Sequence, residues 1–123
     1  YSEQLKATIN NLKKLGFPNA EKSNVLLRED DRSKSDRRKS VSDYYNVIML
    51  IGDNLADFND EFEVKLAVER TNYTDQMSES FGTKLIVLPN PNYGDWESNG
   101  LFGGKSYSNQ EKDSIRKSNI NSY

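Results

Sequence analysis

Two carboxylates four residues apart, Asp53 and Asp57, follow directly on the apolar run Val47-Ile48-Met49-Leu50-Ile51 and its closing Gly52. A loop at the end of a buried strand can direct the first carboxylate across the strand end and bring the second round behind it. That offers the hard oxygen ligands preferred by Mg²⁺, with water completing an octahedron. Asn54 can hydrogen-bond and fix the acids. The Gly-Asp-Asn triplet also reads as a plain turn with its acids in solvent, and the pattern alone does not choose between these readings. A calcium EF-hand loop fails, because Phe58 stands at the required glycine position and Val64 at the required glutamate position.

Two other groups could act on a phosphate ester. Lys34 sits at an expected helix start beside Arg32, Arg37 and Arg38. A cation next to free helix-terminal N–H groups could hold a phosphoryl oxygen or the carboxylate attacking it. Charge runs are more often solvated faces, and Asp30, Asp31 and Asp36 argue against a nuclear-targeting cluster. In Asn90-Pro91-Asn92-Tyr93-Gly94-Asp95-Trp96-Glu97, Tyr93 and Trp96 could offer an aromatic face to a base or other planar group. Trp96 could instead fold back over the core. Asn72-Tyr73-Thr74 matches a glycosylation sequon but falls within an expected helix.

The chain has no cysteine and no histidine, which removes thiolate chemistry, disulfides, a His-based triad and imidazole proton transfer. Carboxylates, Lys, Tyr and hydroxyl residues remain. Seventeen Lys+Arg balance nineteen Asp+Glu, so no bulk field favours a nucleic acid polymer or an anionic membrane surface. No stretch is long and apolar enough to span a bilayer and no signal peptide opens the chain, so this segment is expected to be soluble.

These groups need elements to hold them. Leu5, Ile9, Leu12 and Leu15 recur at helical spacing and Gly16 follows as a C-cap, which predicts a helix over 3–15. Residues 25–27 can form a short strand. A second helix should start near Ser33 and Asp36 and run to about Tyr45. Residues 46–51 form an uninterrupted apolar run, the pattern of a strand buried on both faces. A third helix should follow from Phe62 to near Phe81. Residues 84–88 form a second buried-type strand, closed by Pro89. Ser98-Asn99-Gly100 and Gly103-Gly104 read as loop, and residues 102–123 as a polar tail, a weak helix or disordered, with Ile115 and Ile120 nearly its only anchors. The order implies an α/β fold with parallel strands, and ligands in such sheets sit beyond the carboxyl ends of the strands. Residues 52–58 and 90–97 lie there.

In combination and order, Lys34-Ser35-Asp36-Arg37-Arg38, the residue 46–58 strand and loop, and Leu88-Pro89 through Trp96-Glu97 resemble the class C acid phosphatases. These are the lipoprotein e family of the haloacid dehalogenase (HAD) superfamily. The likeness covers roughly residues 3–101. It implies a partial HAD-like, Rossmann-like parallel sheet with flanking helices over residues 1–101, and a Mg²⁺-dependent hydrolase acting on phosphomonoesters, including nucleoside monophosphates, through a phosphoaspartate. By the same resemblance Asp53 ligates Mg²⁺ and Asp57 supports the metal and its waters. Lys34 steadies the nucleophile and the transferring phosphoryl group, and Tyr93 lines the substrate cavity; Trp96 is a substrate-binding candidate from its place in the same loop. An extracytoplasmic location is implied as well.

The family's nucleophile and general acid/base come from an Asp-x-Asp motif on an earlier strand, and this sequence contains none. Asp30-Asp31 follows no good strand and does not replace it. The chain is therefore expected to be the C-terminal portion of such a phosphatase, inactive alone, with the other half of the active site supplied elsewhere. A non-catalytic relict that binds metal and phosphate is the alternative. The resemblance does not fix the oligomeric state, and a sheet lacking its first strand predicts marginal stability or a core completed by another chain.

Overall fold

The computed structural model describes residues 2–28, 33–63 and 65–120. Asp30, Asp31, Arg32 and Val64, named above for their charge or position, lie outside the described residues. The chain groups into two compact units, residues 1–37 and 38–123.

In the first unit, helix α1 (Ser2–Lys14) matches the spacing of its apolar residues. Its end is a Schellman turn: Phe17 N–H donates to Leu12 O at 3.0 Å and Gly16 N–H to Lys13 O at 3.0 Å. Gly16 takes a φ of +79°, which a glycine adopts without a Cβ penalty. A single 3₁₀ turn, Lys22–Asn24, follows. Residues 25–28 form no strand, contrary to expectation. Val25 N–H is turned back to Lys22 O, and Leu26 is exposed, so three apolar residues found neither a ladder nor a core. Helix α2 (Ser35–Ser42), which spans the boundary of the two units at residues 37 and 38, begins where Ser33 Oγ accepts from Ser35 N–H at 3.1 Å and stops short of Tyr45.

The second unit holds a two-stranded parallel sheet, β1 (Leu50–Gly52) and β2 (Leu85–Val87), paired Leu50 to Leu85, Ile51 to Ile86 and Gly52 to Val87. Helix α3 (Ala67–Gln76) lies between them in sequence, as a parallel crossover requires. Both strands are shorter than the apolar runs that announced them, and residues 46–49 lie outside the ladder. The core is aromatic: Phe58, Phe62 and Phe102 are buried with Leu85. Phe58 meets Phe81 edge-on at 6.2 Å, and Phe62 meets Tyr73 at 6.1 Å, geometries that suit the ring quadrupoles. The Tyr73 phenol, beside Glu61, is held above its ordinary pKa by a hydrogen bond to that carboxylate and by its charge.

Two segments read as loop, or as weak helix or disorder, take helical conformations. Trp96–Leu101, which contains Ser98-Asn99-Gly100, is a π-helical turn, closed by Phe102 N–H to Glu97 O at 3.0 Å. Beyond it, α4 (Asn109–Ser118) is a ten-residue helix. Its anchors are mostly not isoleucines. Lys112 and Arg116 each lie 5.7 Å from the Phe102 ring, Tyr107 packs on that ring at 5.9 Å, and Arg116 Nε donates to Glu97 Oε1 at 2.7 Å. Ile120 is exposed.

A capping box starts α4: Ser108 N–H donates to Glu111 Oε2 at 2.8 Å, and Glu111 N–H donates to Ser108 Oγ at 3.3 Å. Hydrogen bonds from Ser108 hold the Glu111 carboxyl below the ordinary glutamate value. A group whose folded pKa is lowered contributes its stability above the unfolded pKa and loses it as pH falls through the folded one. The start of α4 should therefore fray on acidification below the ordinary glutamate range, with the Ser108 to Lys112 amide shifts moving together in an NMR titration. Glu111→Gln should flatten that titration, and the wild-type titration persisting in the variant would remove the box as the cause.

Candidate functional site

The carboxyl ends of β1 and β2 lie side by side because Gly52 pairs with Val87. Leu88 N–H extends the ladder to Gly52 O at 2.8 Å. Past this point the chain turns at both strand ends, and the two loops come together.

The first loop is a 3₁₀ turn, Leu55–Asp57, closed by a reciprocal cap. Asn54 Oδ1 accepts from Ala56 N–H at 3.2 Å, while Asp57 Oδ2 accepts from the N–H groups of Asp53 and Asn54 at 3.1 and 3.2 Å. Asp57 thus ties the loop back on itself. Gly52 makes room for it: a Cβ at position 52 would lie 2.5 Å from Asp57 Oδ2. From behind, Arg38 Nη1 donates to Ala56 O at 3.0 Å and to Asp57 O at 3.1 Å, and its Nη2 pairs with Asp60. The sequence grouped Arg38 with phosphate-binding cations, but its guanidinium clamps the loop that carries the acids.

Asp53 stands exposed at the β1 end, and Asn90 Nδ2 donates to its Oδ2 at 2.8 Å. This bond crosses from one strand end to the other. Asn90 Oδ1 in turn accepts from Asn92 N–H at 3.2 Å, an Asx turn that fixes the amide. The loops also meet at Gly94, where a Cβ would lie 3.0 Å from Asn54 Nδ2 and 2.8 Å from Trp96 Cδ1. Residues 90–95 lie at the β2 end as expected, while Trp96 and Glu97 already open the π-helical turn; the role of Asn90 itself was missed. Its only signal was position, the third residue beyond β2.

Asp53, Asp57, Tyr93 and Trp96 therefore belong to one pair of adjoining loops. Tyr93 is 74% exposed, so its ring is presented to solvent and not packed. Trp96 is half-buried. With Pro91, Asn92, Leu101 and Arg116 it lines an open cleft of about 530 Å³, so its ring bounds a cavity as well as backing the loop. Lys34 is exposed, immediately precedes α2, and belongs to the first unit.

An ion pair sets the second loop on α3. Arg70, 4% exposed, is the only buried charged residue among those described. Its Nη2 pairs with Asp95, its Nε donates to Lys65 O at 3.1 Å, and Asn99 donates to the other Asp95 oxygen. Desolvation lowers the Arg70 pKa from its ordinary value, though a guanidinium stays charged at any physiological pH.

The donor set suits a hard divalent cation. Mg²⁺ keeps several waters and takes one or two carboxylates. Asp53, steadied by an amide, is the kind of outer-supported ligand such sites use. Among the described residues no group of three or more His, Cys, Asp or Glu side chains stands together as a metal site.

This fold and this pair of strand-end loops define a member of the HAD superfamily. The family described as HAD superfamily, subfamily IIIB (acid phosphatase), matches residues 1–96, and the chain belongs to it. It is similar to the solved class C acid phosphatase from Bacillus anthracis, at 38% identity and a TM-score of 0.85 over 98% of this chain and 51% of that one. The same enzyme with tungstate bound matches at 38% identity and a TM-score of 0.83, with the same coverage. The chain spans about half the length of the solved structures it matches.

Proposed function

We propose that this chain supplies the divalent-cation and substrate-rim portion of a phosphomonoesterase active site. The observation that carries the reading is Asp53, exposed at the end of β1 and oriented by Asn90 from the end of β2. Asp53 would hold Mg²⁺ directly, and Asp57, bonded to the backbone of the same loop, would fix the loop and the waters around the ion. The bound ion supplies neutralisation of charge on the phosphoryl oxygens. Asn90 keeps the Asp53 carboxylate at one angle, and Arg38 keeps the loop from opening. Tyr93 would stack an aromatic or nucleobase leaving group, with Trp96 beside it, so nucleoside monophosphates belong to the substrate class. Lys34 would steady the phosphoryl group and the attacking carboxylate.

The attacking carboxylate is not among these residues, since Asp53 and Asp57 cannot hold the ion and attack in line at once. This chain alone is expected to bind the cation without turnover, and the complete enzyme to act outside the cytoplasm. The test is cation binding by the chain itself. Calorimetric titration with Mg²⁺, or Mn²⁺ followed by its spin-resonance signal, should give one site, and Asp53→Asn should weaken it by about tenfold or more. Asn90→Ala should produce a smaller loss. Equal binding by wild type and Asp53→Asn would remove Asp53 from the metal site and overturn the reading.

A further inference from the structure

Asn99-Gly100 is the one Asn-Gly pair in the sequence, and nothing in the backbone asks for its glycine. Gly100 does not take a positive φ. A Cβ there would meet Asp95 O at 3.8 Å and Arg70 Cδ at 3.9 Å, ordinary contacts that an alanine tolerates. A Cβ on Gly52 or Gly94, by contrast, would come within 2.5 or 2.8 Å of a side chain. What glycine does provide at 100 is an unhindered peptide nitrogen next to an asparagine amide. That amide has a structural task. Asn99 Nδ2 donates to one Asp95 oxygen while Arg70 holds the other, and the Asn99 carbonyl accepts from Gly103 N–H at 2.9 Å.

We propose that Asn99 is a site of spontaneous deamidation, and that the product releases the residue 90–95 loop from α3 irreversibly. The Gly100 nitrogen attacks Asn99 Cγ. The N–Cγ bond forms as Cγ–Nδ2 breaks, and ammonia leaves with the Gly100 amide proton. Water then opens the five-membered imide at one carbonyl or the other, leaving aspartate or isoaspartate, and no oxidant or further reactant is needed. Either product exchanges the donor for a carboxylate, and isoaspartate also lengthens the main chain by a methylene inside the π-helical turn. Two like charges then meet where one guanidinium serves both. Because Gly100 is buried within that turn, the attack waits on opening of residues 96–101, and the folded protein reacts at a rate set by that opening. The loop that Asp95 holds carries Asn90, the partner of Asp53, so the damage ends at the contact between the two strand ends. The modification itself does not depend on the metal-site reading.

The test is to incubate the chain at mildly alkaline pH, with and without urea, and to map its peptides by mass spectrometry. A gain of one mass unit should concentrate at residue 99, with aspartate and isoaspartate both present, and should be at least about tenfold faster in urea than in the folded chain. Gly100→Ala should slow the reaction in urea about tenfold or more, since a Cβ on the attacking residue restricts its approach. That comparison needs no fold, so the variant cannot fail for want of folding. Asn99→Asp, the direct product, should lower the urea midpoint further than Asn99→Ala, which removes the donor without adding charge, and should move the Asn90 side-chain amide in an NMR spectrum. Deamidation spread over the other asparagines with Asn99 intact would overturn the proposal. So would an unchanged rate in Gly100→Ala, or an Asn99→Asp chain as stable as wild type. The readouts are mass, stability and an amide shift, so a failure of cation binding at Asp53 would not be mistaken for a failure here.

Discussion

Gly52→Ala should cost the loop its anchor and the chain most of its affinity for a divalent cation. The added methyl would lie 2.5 Å from Asp57 Oδ2 and 2.6 Å from Asp57 Cβ, a separation that carbon atoms do not sustain. Asp57 must leave, and its hydrogen bonds to the Asp53 and Asn54 N–H groups leave with it. Each is charge-assisted and contributes about 1.5–3 kcal/mol, and loss of such support around a metal ligand typically lowers affinity about 10–100-fold. Gly82→Ala is the contrasting variant. Gly82 has a φ of +79° and nothing within 4 Å of its Cβ position, so it should lose about 1 kcal/mol of stability from backbone strain alone and bind the cation normally. Mg²⁺ titration and urea denaturation of both variants separate the effects. Normal binding by Gly52→Ala would show that Asp57 is dispensable to the site.

Arg70→Leu should be strongly destabilising. It leaves Asp95 without its cation and Lys65 O without a donor. Removing one member of a buried pair costs about 3–5 kcal/mol. The Asp95 side chain is 26% exposed against 5% for Arg70, so water can partly relieve the stranded carboxylate, and the lower end, about 3 kcal/mol, is expected. Urea denaturation measures this directly. The double variant Arg70→Leu with Asp95→Leu should recover part of the loss, because an apolar pair leaves no buried charge. A loss in Arg70→Leu below about 1 kcal/mol, the level of an exposed pair, would mean that the pair is effectively solvated.

What the sequence disclosed, and what it withheld, follows from the kind of signal each residue carries. Residues 46–51 and 84–88 announced parallel strands buried on both faces because their apolar runs do not alternate; both strands form, but Ile51 is 62% and Val87 47% exposed. They are shorter than their runs because a ladder needs a partner as well as a propensity. The same reason left residues 25–27 without a strand. Asp53 and Asp57 stood out because a glycine and two acids directly after an apolar run mark the point where a strand ends and a polar loop begins. Asn90 did not, since asparagine beside proline reads as turn chemistry and its bond to Asp53 spans 37 positions. Arg70 gave no warning either: cations in helices ordinarily face water, and burial of this one depends on an aspartate 25 residues away. The residue 96–101 turn was hidden behind Ser-Asn-Gly, a loop signature that π-helical bonding overrode. In α4, cation–π contacts to Phe102 replace the apolar spacing that would have advertised a packed helix.

The three-pair register between β1 and β2 doubles as a gauge. Asp53 is one residue past its strand and Asn90 three past the other, so their 2.8 Å bond is met only when Gly52 lies opposite Val87. One residue inserted between Val87 and Asn90 would displace the amide by about 3.3 Å, a full strand step, and the two ends would no longer touch. Residues added in the α3 crossover would leave that alignment intact. Length variation among related chains should therefore accumulate between the strands and be purged from the two short stretches beyond them, a pattern that a set of aligned sequences would display without any assay.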